Sequence, residues 1–313
     1  MTEDPCVPPP EDHLRRLVEN ALAEDRADED ITTAALVPDD QRGRGVIIAR
    51  AEGVLAGLPI ACAVFRAADA SLTWRPHGED GRRLAPGDRV ATIDGPLASI
   101  LRAERAALNF LAHLSGAATA AAAVVRALDG TPCRLRDTRK TIPGLRALEK
   151  YAVRVGGGAN HRLNLAEGVL IKDNHLAALR SRGLGIPDAV RLAREAIANL
   201  RIEIEVTTVD EARLALDAGA DELLLDNMPL DAMREVVALA AGRDPRPMLE
   251  ASGGITLDNA RAVARTGVDY ISVGAITHSA QALDMSLEVE PQPRGRPQGV
   301  APTCRGPQKG HLR

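Results

Sequence analysis

The hydrophobic positions change their period along the chain. From about residue 11 to 27, Leu14, Leu17, Val18, Ala21 and Leu22 recur at helical spacing and predict one amphipathic helix, which leads into Asp30-Ile31-Thr32-Thr33. From Gly45 the pattern becomes short apolar runs bounded by Gly, Pro and Asp. Gly45–Ala51 and Arg89–Ile93 read as strands, and the stretch between them holds Trp74 and further turn signals. An alanine-rich run from about Leu97 to Ala123 reads as a long helix, with Ser115-Gly116 as a break. These elements predict a small α+β domain.

After Cys133 the pattern becomes strand, polar residue, helix, repeated. Ile202–Val206 precedes a helix opened by the capping box Thr208 to Glu211 and closed near Gly219. Glu222–Asp226 precedes a helix over Leu230–Ala241, Met248–Ala251 precedes one over Leu257–Thr266, and Tyr270–Val273 follows. Strands roughly 20 to 25 residues apart are those of βα units joined by right-handed crossovers. The expected architecture is an α/β barrel.

The 313 residues, 45% hydrophobic and 26% charged, are those of a globular chain and exclude disorder throughout. No apolar run reaches the roughly 20 residues that span a bilayer, and Met1–Asp12 lacks the basic-then-apolar order of a signal peptide. A cytoplasmic protein without membrane contact is expected. An aromatic content of 2% and a pI near 6.0 argue against nucleic acid as a partner. Cys6, Cys62, Cys133 and Cys304 form no CxxC pair, so reduced thiols are expected rather than a disulfide framework or zinc site. Residues 291–313, with repeated Pro, Gly and Gln, five basic residues and no acid, read as a disordered basic tail.

Against a net charge of −4, the stretch from Arg136 to Lys172 is basic. Arg136, Arg139, Lys140, Arg146, Lys150, Arg154, Arg162 and Lys172 face only Asp137, Glu149 and Glu167. Local basicity on an acidic background points to a specific anionic ligand. In α/β barrels the working groups sit at the C-terminal ends of strands. Arg139 and Lys140 follow Cys133–Arg136, Lys172 ends Gly168–Ile171, Glu205 lies near its strand's end, and Asp226 ends its own.

The guanidinium forks of Arg105, Arg139 and Arg162 suit carboxylates, whereas Lys140 and Lys172 are point charges for carboxylate or phosphate. Glu205 and Asp226 could hold Mg²⁺, bind sugar hydroxyls, stabilise a cationic sugar carbon, or serve as buried partners of Arg139 or Lys172. Glu203 shares their alternation and could be structural alone. Ser252-Gly253-Gly254 and Val273-Gly274-Ala275 supply close-approach backbone at the last two strands, where barrels commonly bind phosphate. His161 is a ligand candidate, His175 could cap or orient Lys172, and His278 could assist a phosphate. With His13, His77, His113 and His311 the histidines show no zinc-ligand spacing.

Read in order, Glu24-Asp25 with Asp30–Thr33, Glu104–Asn109, DTRKTIPG from Asp137, GGGANHR, LIKDNH, IEIEV, LLLDN, SGG and VGAITHS resemble the type II phosphoribosyltransferases, specifically the quinolinate phosphoribosyltransferase (nicotinate-nucleotide pyrophosphorylase) family. DTRKT with GGG and HR is also shared with ModD-like molybdenum-transport proteins, so a relative acting on another anion is the alternative within this fold. Thr207, Ala251 and Glu29 depart from the usual text of the family.

The resemblance implies an incomplete, TIM-like α/β barrel with a smaller N-terminal α+β sandwich domain. The corresponding divisions are an N-terminal domain over 1–115, the barrel over 116–276, a return segment over 277–290 packing on the N-terminal domain, and the tail. It implies that quinolinate and phosphoribosyl pyrophosphate give nicotinate mononucleotide, CO2 and pyrophosphate with Mg²⁺. Arg105, Thr138, Arg139, Lys140, His161, Arg162 and Lys172 would bind the substrates' anionic groups. Glu205 and Asp226 would serve the ribose and Mg²⁺, and Ser252, Gly253, Gly254, Val273, Gly274, Ala275 and His278 the 5′-phosphate. Lys140, Lys172, Glu205 and Asp226 would carry the catalysis. The family pattern also implies a homodimer, or a hexamer, with Arg105 supplied across the interface. Two readings from other classes are a Schiff-base aldolase using Lys172 and a non-catalytic anion-binding protein.

Overall fold

A computed structural model gives the fold, described for residues 7–197 and 199–292. The expected tail, apart from its first two residues, lies outside the described residues. The N-terminal part contains α1 (Glu11–Glu24), α2 (Ile31–Leu36), β1 (Arg42–Ala49), β2 (Gly53–Val54), α3 (Leu58–Ala68), β3 (Thr73–Pro76), β4 (Arg83–Leu84), β5 (Arg89–Pro96) and α4 (Leu97–Ala127). Asp30 starts α2, its Oδ1 accepting the Thr32 and Thr33 amides at 3.0 Å. Strand β5 pairs antiparallel with both β1 and β3, and α3 and α4 cover the sheet with a core that includes Phe65, Ile60, Ile100 and Leu111.

The second part alternates β6 (Arg134–Arg136), α5 (Arg146–Val155), β7 (Val169–Ile171), α6 (Asp173–Arg180), α7 (Ile186–Ala196), β8 (Ile202–Val206), α8 (Val209–Asp217), β9 (Glu222–Asp226), α9 (Leu230–Ala241), β10 (Met248–Ser252), α10 (Leu257–Ala264), β11 (Tyr270–Ser272), α11 (Ala275–His278) and β12 (Met285–Pro291). Six of these strands form one parallel sheet in the order β6-β11-β10-β9-β8-β7, an incomplete barrel with β6 and β7 at its edges. The chain around Ala159 runs along the β6 edge: the Ala159 amide donates to Leu135 O at 2.8 Å and the Asp137 amide to Ala159 O at 3.1 Å.

Alternation along the strands decides what each face carries. Ile202, Ile204, Val206, Leu223, Leu225, Leu249 and Ala251 join the core under the helices. Glu203, Glu205, Glu222 and Glu250 occupy the opposite face, so this barrel's interior is charged. All six strands are parallel, so Lys172, Glu205, Asp226 and Ser252 gather at one end of the sheet.

Helix α4 joins the two parts, contributing Ala103 to Ala118 to one core and Ala121 and Val124 to the other. The expected break at Ser115-Gly116 does not occur, and both residues are buried inside the continuous helix. Gly116 has a different cause: a Cβ there would lie 2.2 Å from the Gln281 carbonyl oxygen, so the glycine lets the returning chain cross α4. That chain ends in β12, which pairs antiparallel with β1 from Gly43↔Pro291 to Ala49↔Met285. Helix α4 also corrects the expectation about apolar runs. By length and a mean hydropathy of 1.5 it is long and apolar enough to cross a membrane, but half of that stretch is buried inside the protein.

Candidate active site

A cavity of about 580 Å³ opens at the C-terminal ends of the barrel strands. Thr138, Arg139, Lys140, His161, Arg162, Lys172, Glu205, Asp226, Ser252, Gly253 and Gly254 all line it, and the strand-end residues Arg139, Lys140, Lys172, Glu205 and Asp226 are among them. Of the eight basic residues in the stretch from Arg136 to Lys172, four face this space: Arg139, Lys140, Arg162 and Lys172. The others are engaged within the chain. Arg136 pairs with Glu222 and Glu250, Lys150 with Asp137, Arg146 bonds Thr141 Oγ1 and Leu163 O, and Arg154 bonds Asn160 and Val7 O.

Three of the four cavity cations, Arg139, Lys140 and Arg162, make no ion pair among the described residues. Arg139 Nε is buried and has no hydrogen-bond partner among the described residues. Burial and the neighbouring Arg139 charge push the Arg162 pKa down, although one of its Nη atoms donates to Gly168 O at 2.9 Å. Two guanidinium groups held close enough to repel form a site that an anion stabilises.

Across the cavity, Lys172 Nζ lies 3.3 Å from Glu205 Oε2, an ion pair in which the lysine side chain is about half exposed. Burial raises the Glu205 pKa; Lys172 opposes that shift and the nearby Asp226 charge adds to it. The two carboxylates therefore sense each other. Asp226 accepts the Asn227 side-chain amide at 2.8 Å, and the Asn227 backbone amide donates to Ser252 O at 2.9 Å. Asn227, with φ 53°, packs where a Cβ on Gly253 (φ 87°) would meet its Cγ at 2.4 Å. Only glycine fits there. Two hard-oxygen carboxylates lining one cavity fit a divalent ion such as Mg²⁺.

The remaining expected residues are distributed differently. Val273, Gly274, Ala275 and His278 do not line this cavity, but a Cβ on Gly274 would lie 2.9 Å from Lys140 Cδ and 3.3 Å from His278 Nε2, so this turn backs the lysine. His278 bonds Ser279 Oγ at 2.6 Å. His175 caps α6: its Nδ1 accepts the Lys172 amide at 2.9 Å, and it does not line the cavity. Arg105 lies outside the cavity on α4, its side chain 65% exposed, beside Asp25, Arg26, Asp30 and Arg102.

His161 lines the cavity with both ring nitrogens occupied. Nδ1 accepts the Arg162 amide at 2.7 Å, and Nε2 faces Glu203 Oε2 at 2.9 Å. Burial disfavours its charge, but the Glu203 and Glu250 carboxylates outweigh this and raise its pKa. Glu203 is thus a partner of His161. Beneath it lies a network that the sequence reading did not contain. Burial likewise disfavours charge on Arg136, but Glu250 and Glu222 hold it protonated, and its guanidinium stacks 3.5 Å above the Tyr270 ring. Burial, and then repulsion from Glu203, push Glu250 up to about 7. His161, Glu203 and Glu250 offer ligand atoms within 4.8 Å of one another. The Arg136 contact to Glu250 and the His161 contact to Glu203 already supply cationic partners there.

The models of the quinolinate phosphoribosyl transferase N-terminal and C-terminal domains match residues 30–115 and 117–288. The chain belongs to the quinolinate phosphoribosyltransferase family. It is 44% identical over 281 residues to the nicotinate-nucleotide pyrophosphorylase [carboxylating] of Mycobacterium leprae, covering 89% of this chain and 98% of that protein. The human enzyme of the same name is 40% identical over 289 residues, covering 90% and 95% of the two chains. The solved nicotinate-nucleotide pyrophosphorylase of Francisella tularensis superposes with a TM-score of 0.83 at 40% identity, covering 90% and 97%. Family membership and this superposition agree with the incomplete barrel and separate N-terminal sheet.

Proposed function

We propose that the chain transfers a phosphoribosyl group from phosphoribosyl pyrophosphate to quinolinate, releasing pyrophosphate and CO2 and leaving nicotinate mononucleotide, a step in NAD biosynthesis. The observation that carries this reading is one cavity with Arg139, Lys140, Arg162 and Lys172 beside the Glu205 and Asp226 carboxylates and the Ser252–Gly254 turn. A dicarboxylate and a sugar bearing phosphate and pyrophosphate present the negative charges that would match Arg139, Lys140 and Arg162.

In this reading Arg139 and Arg162 grip the pyridine carboxylates and Lys140 neutralises a neighbouring anion, with Thr138 and His161 shaping that end. His161 contributes through its position, since its nitrogens hold Arg162 and Glu203. Ser252, Gly253 and Gly254 cradle the 5′-phosphate, and the Val273–Ala275 turn with His278 supports Lys140 from behind. Glu205 and Asp226 offer oxygen ligands to Mg²⁺, which when bound neutralises charge on the pyrophosphate.

As pyrophosphate leaves, positive charge develops at the anomeric carbon, and the Glu205 and Asp226 carboxylates favour it electrostatically. The pyridine nitrogen takes the sugar. Once alkylated, the ring nitrogen accepts the electron pair released when the adjacent carboxylate departs, and the ring carbon then takes a proton. No protein nucleophile is required. The Lys172–Glu205 ion pair supports Lys172 acting as a fixed cation, against a Schiff-base role that needs a neutral amine.

The working unit in this reading is a homodimer in which Arg105, exposed on α4 and outside its own chain's cavity, completes the partner's site. The reading is tested by comparing turnover of quinolinate and nicotinate with phosphoribosyl pyrophosphate and Mg²⁺. Quinolinate should be strongly preferred, because the cationic wall exceeds what one carboxylate needs; equal turnover of nicotinate would overturn it.

A further inference from the structure

His113 lies on α4 outside the cavity, yet it is tied to the loop that carries Arg139 and Lys140. Its Nε2 lies 2.8 Å from Glu149 Oε1, and the other Glu149 oxygen accepts the Ile142 backbone amide at 3.0 Å. Glu149 is fully buried on α5, so both carboxylate oxygens need donors. Either imidazole form with a proton on Nε2 supplies the first, and the loop supplies the second.

The loop between β6 and α5 needs such anchors. It holds Arg139 against the like charge of Arg162, an arrangement that favours outward displacement. Among the described residues, three side chains hold its backbone past Arg139: Thr138 Oγ1 accepts the Lys140 amide at 3.0 Å, the Thr277 hydroxyl donates to Lys140 O at 2.7 Å, and Glu149 accepts the Ile142 amide at 3.0 Å. Thr277 belongs to the turn behind Lys140. Glu149 is oriented from α4, the helix that also bears Arg105 two turns earlier.

We propose that His113 and Glu149 are positioning residues: His113 orients Glu149, Glu149 holds the Ile142 amide, and the Arg139–Lys140 segment is thereby fixed for the substrate's carboxylates. Without the His113 donor, one oxygen of a buried carboxylate is stranded, and Glu149 turns toward another donor and releases the loop. Arg139, read as a ligand of the pyridine carboxylates, meets the same charge in ground state and transition state, so displacement of its loop raises KM more than it changes kcat. This inference rests on the reading of Arg139 and Lys140 as substrate ligands.

The test is steady-state kinetics with quinolinate on His113→Leu, His113→Asn, His113→Gln and Arg139→Ala, with thermal melts alongside. The His113 ring borders an open groove lined by Leu17, Ala21, Phe110 and Leu145, so the replacements have room. His113→Leu, and His113→Asn with its shorter reach, should raise KM for quinolinate by about tenfold or more, the scale expected when binding groups move by a fraction of an ångström. Turnover should stay within about threefold of wild type. His113→Gln, whose amide donates from a similar position, should restore KM.

An unchanged KM in both His113→Leu and His113→Asn, with only a lower melting temperature, would mean a merely structural pair and overturn the proposal. Should His113→Leu fail to fold, His113→Asn decides alone. Arg139→Ala separates the two levels. If it raises KM while the His113 variants do not, only the positioning inference fails; if Arg139→Ala also leaves KM unchanged, the substrate-binding reading fails.

Discussion

Removing the Arg139 side chain should weaken quinolinate binding by an amount the site's geometry bounds. Its Nε is buried without a partner among the described residues, and its charge is one cause of the lowered Arg162 pKa. Truncating one member of a desolvated charge pair costs about 2 to 5 kcal/mol. Arg139 is only partly buried, and its loss relieves the repulsion on Arg162, which remains to meet the anion. Both facts favour the lower end, about 2 kcal/mol, or roughly thirtyfold in Kd. Arg139→Lys should fall between Arg139→Ala and wild type, because it keeps the charge and loses the planar fork. Calorimetric titration with quinolinate measures both variants. A Kd for Arg139→Ala within about threefold of wild type would refute the reasoning, since even a single charge-assisted hydrogen bond contributes more than that.

Other expectations test the packing, the buried network and the shared site. Gly116→Ala places a Cβ 2.2 Å from the Gln281 carbonyl oxygen, and overpacking of this kind costs about 1 to 3 kcal/mol, so the melting temperature should fall by several degrees; an unchanged melt would show that the crossing is loose. Glu250 rises from 4.5 to about 7, so the folded protein holds a proton that the unfolded chain releases. Its stabilising contribution is therefore full below about 4.5 and is lost as pH rises through about 7, and urea melts across that window should show a flatter profile for Glu250→Gln. An identical slope in the variant would assign the effect elsewhere. Mixing inactive Arg105→Ala and Lys172→Ala proteins should restore about a quarter of wild-type activity after random subunit exchange, since one pocket of each mixed dimer carries neither lesion. Demonstrated exchange without recovered activity would exclude a site shared between subunits.

Much of the site was legible because its residues end apolar runs. A polar side chain closing a parallel strand must sit at the strand's C-terminal end, so Lys172, Glu205 and Asp226 could be grouped from spacing alone. Basicity was a poorer guide to individual roles. Arg136, Lys150, Arg146 and Arg154 share the charge of the ligand-facing residues but are engaged inside the chain, and their partners lie 5 to 147 positions away. Glu222 and Glu250 stand within apolar strands, and only the barrel's curvature brings them to Arg136 and His161. Gly116 was misread because a glycine that breaks a helix and one that admits a crossing chain look alike in sequence. Asn227 was within reach: it follows a strand-ending acid, and asparagine is among the few residues that tolerate its positive φ. His113 offered no local signal, since its partner Glu149 lies on another helix.

The central claim is that one cavity both joins the sugar to the pyridine nitrogen and releases the neighbouring carboxylate. It is tested most directly with quinolinate labelled in the carboxyl group next to the ring nitrogen. With phosphoribosyl pyrophosphate and Mg²⁺, labelled CO2, pyrophosphate and nicotinate mononucleotide should form in equal amounts, and omission of phosphoribosyl pyrophosphate should abolish CO2 release. Labelled CO2 released without the sugar donor, or pyrophosphate formed while the label stays on the ring, would contradict the account.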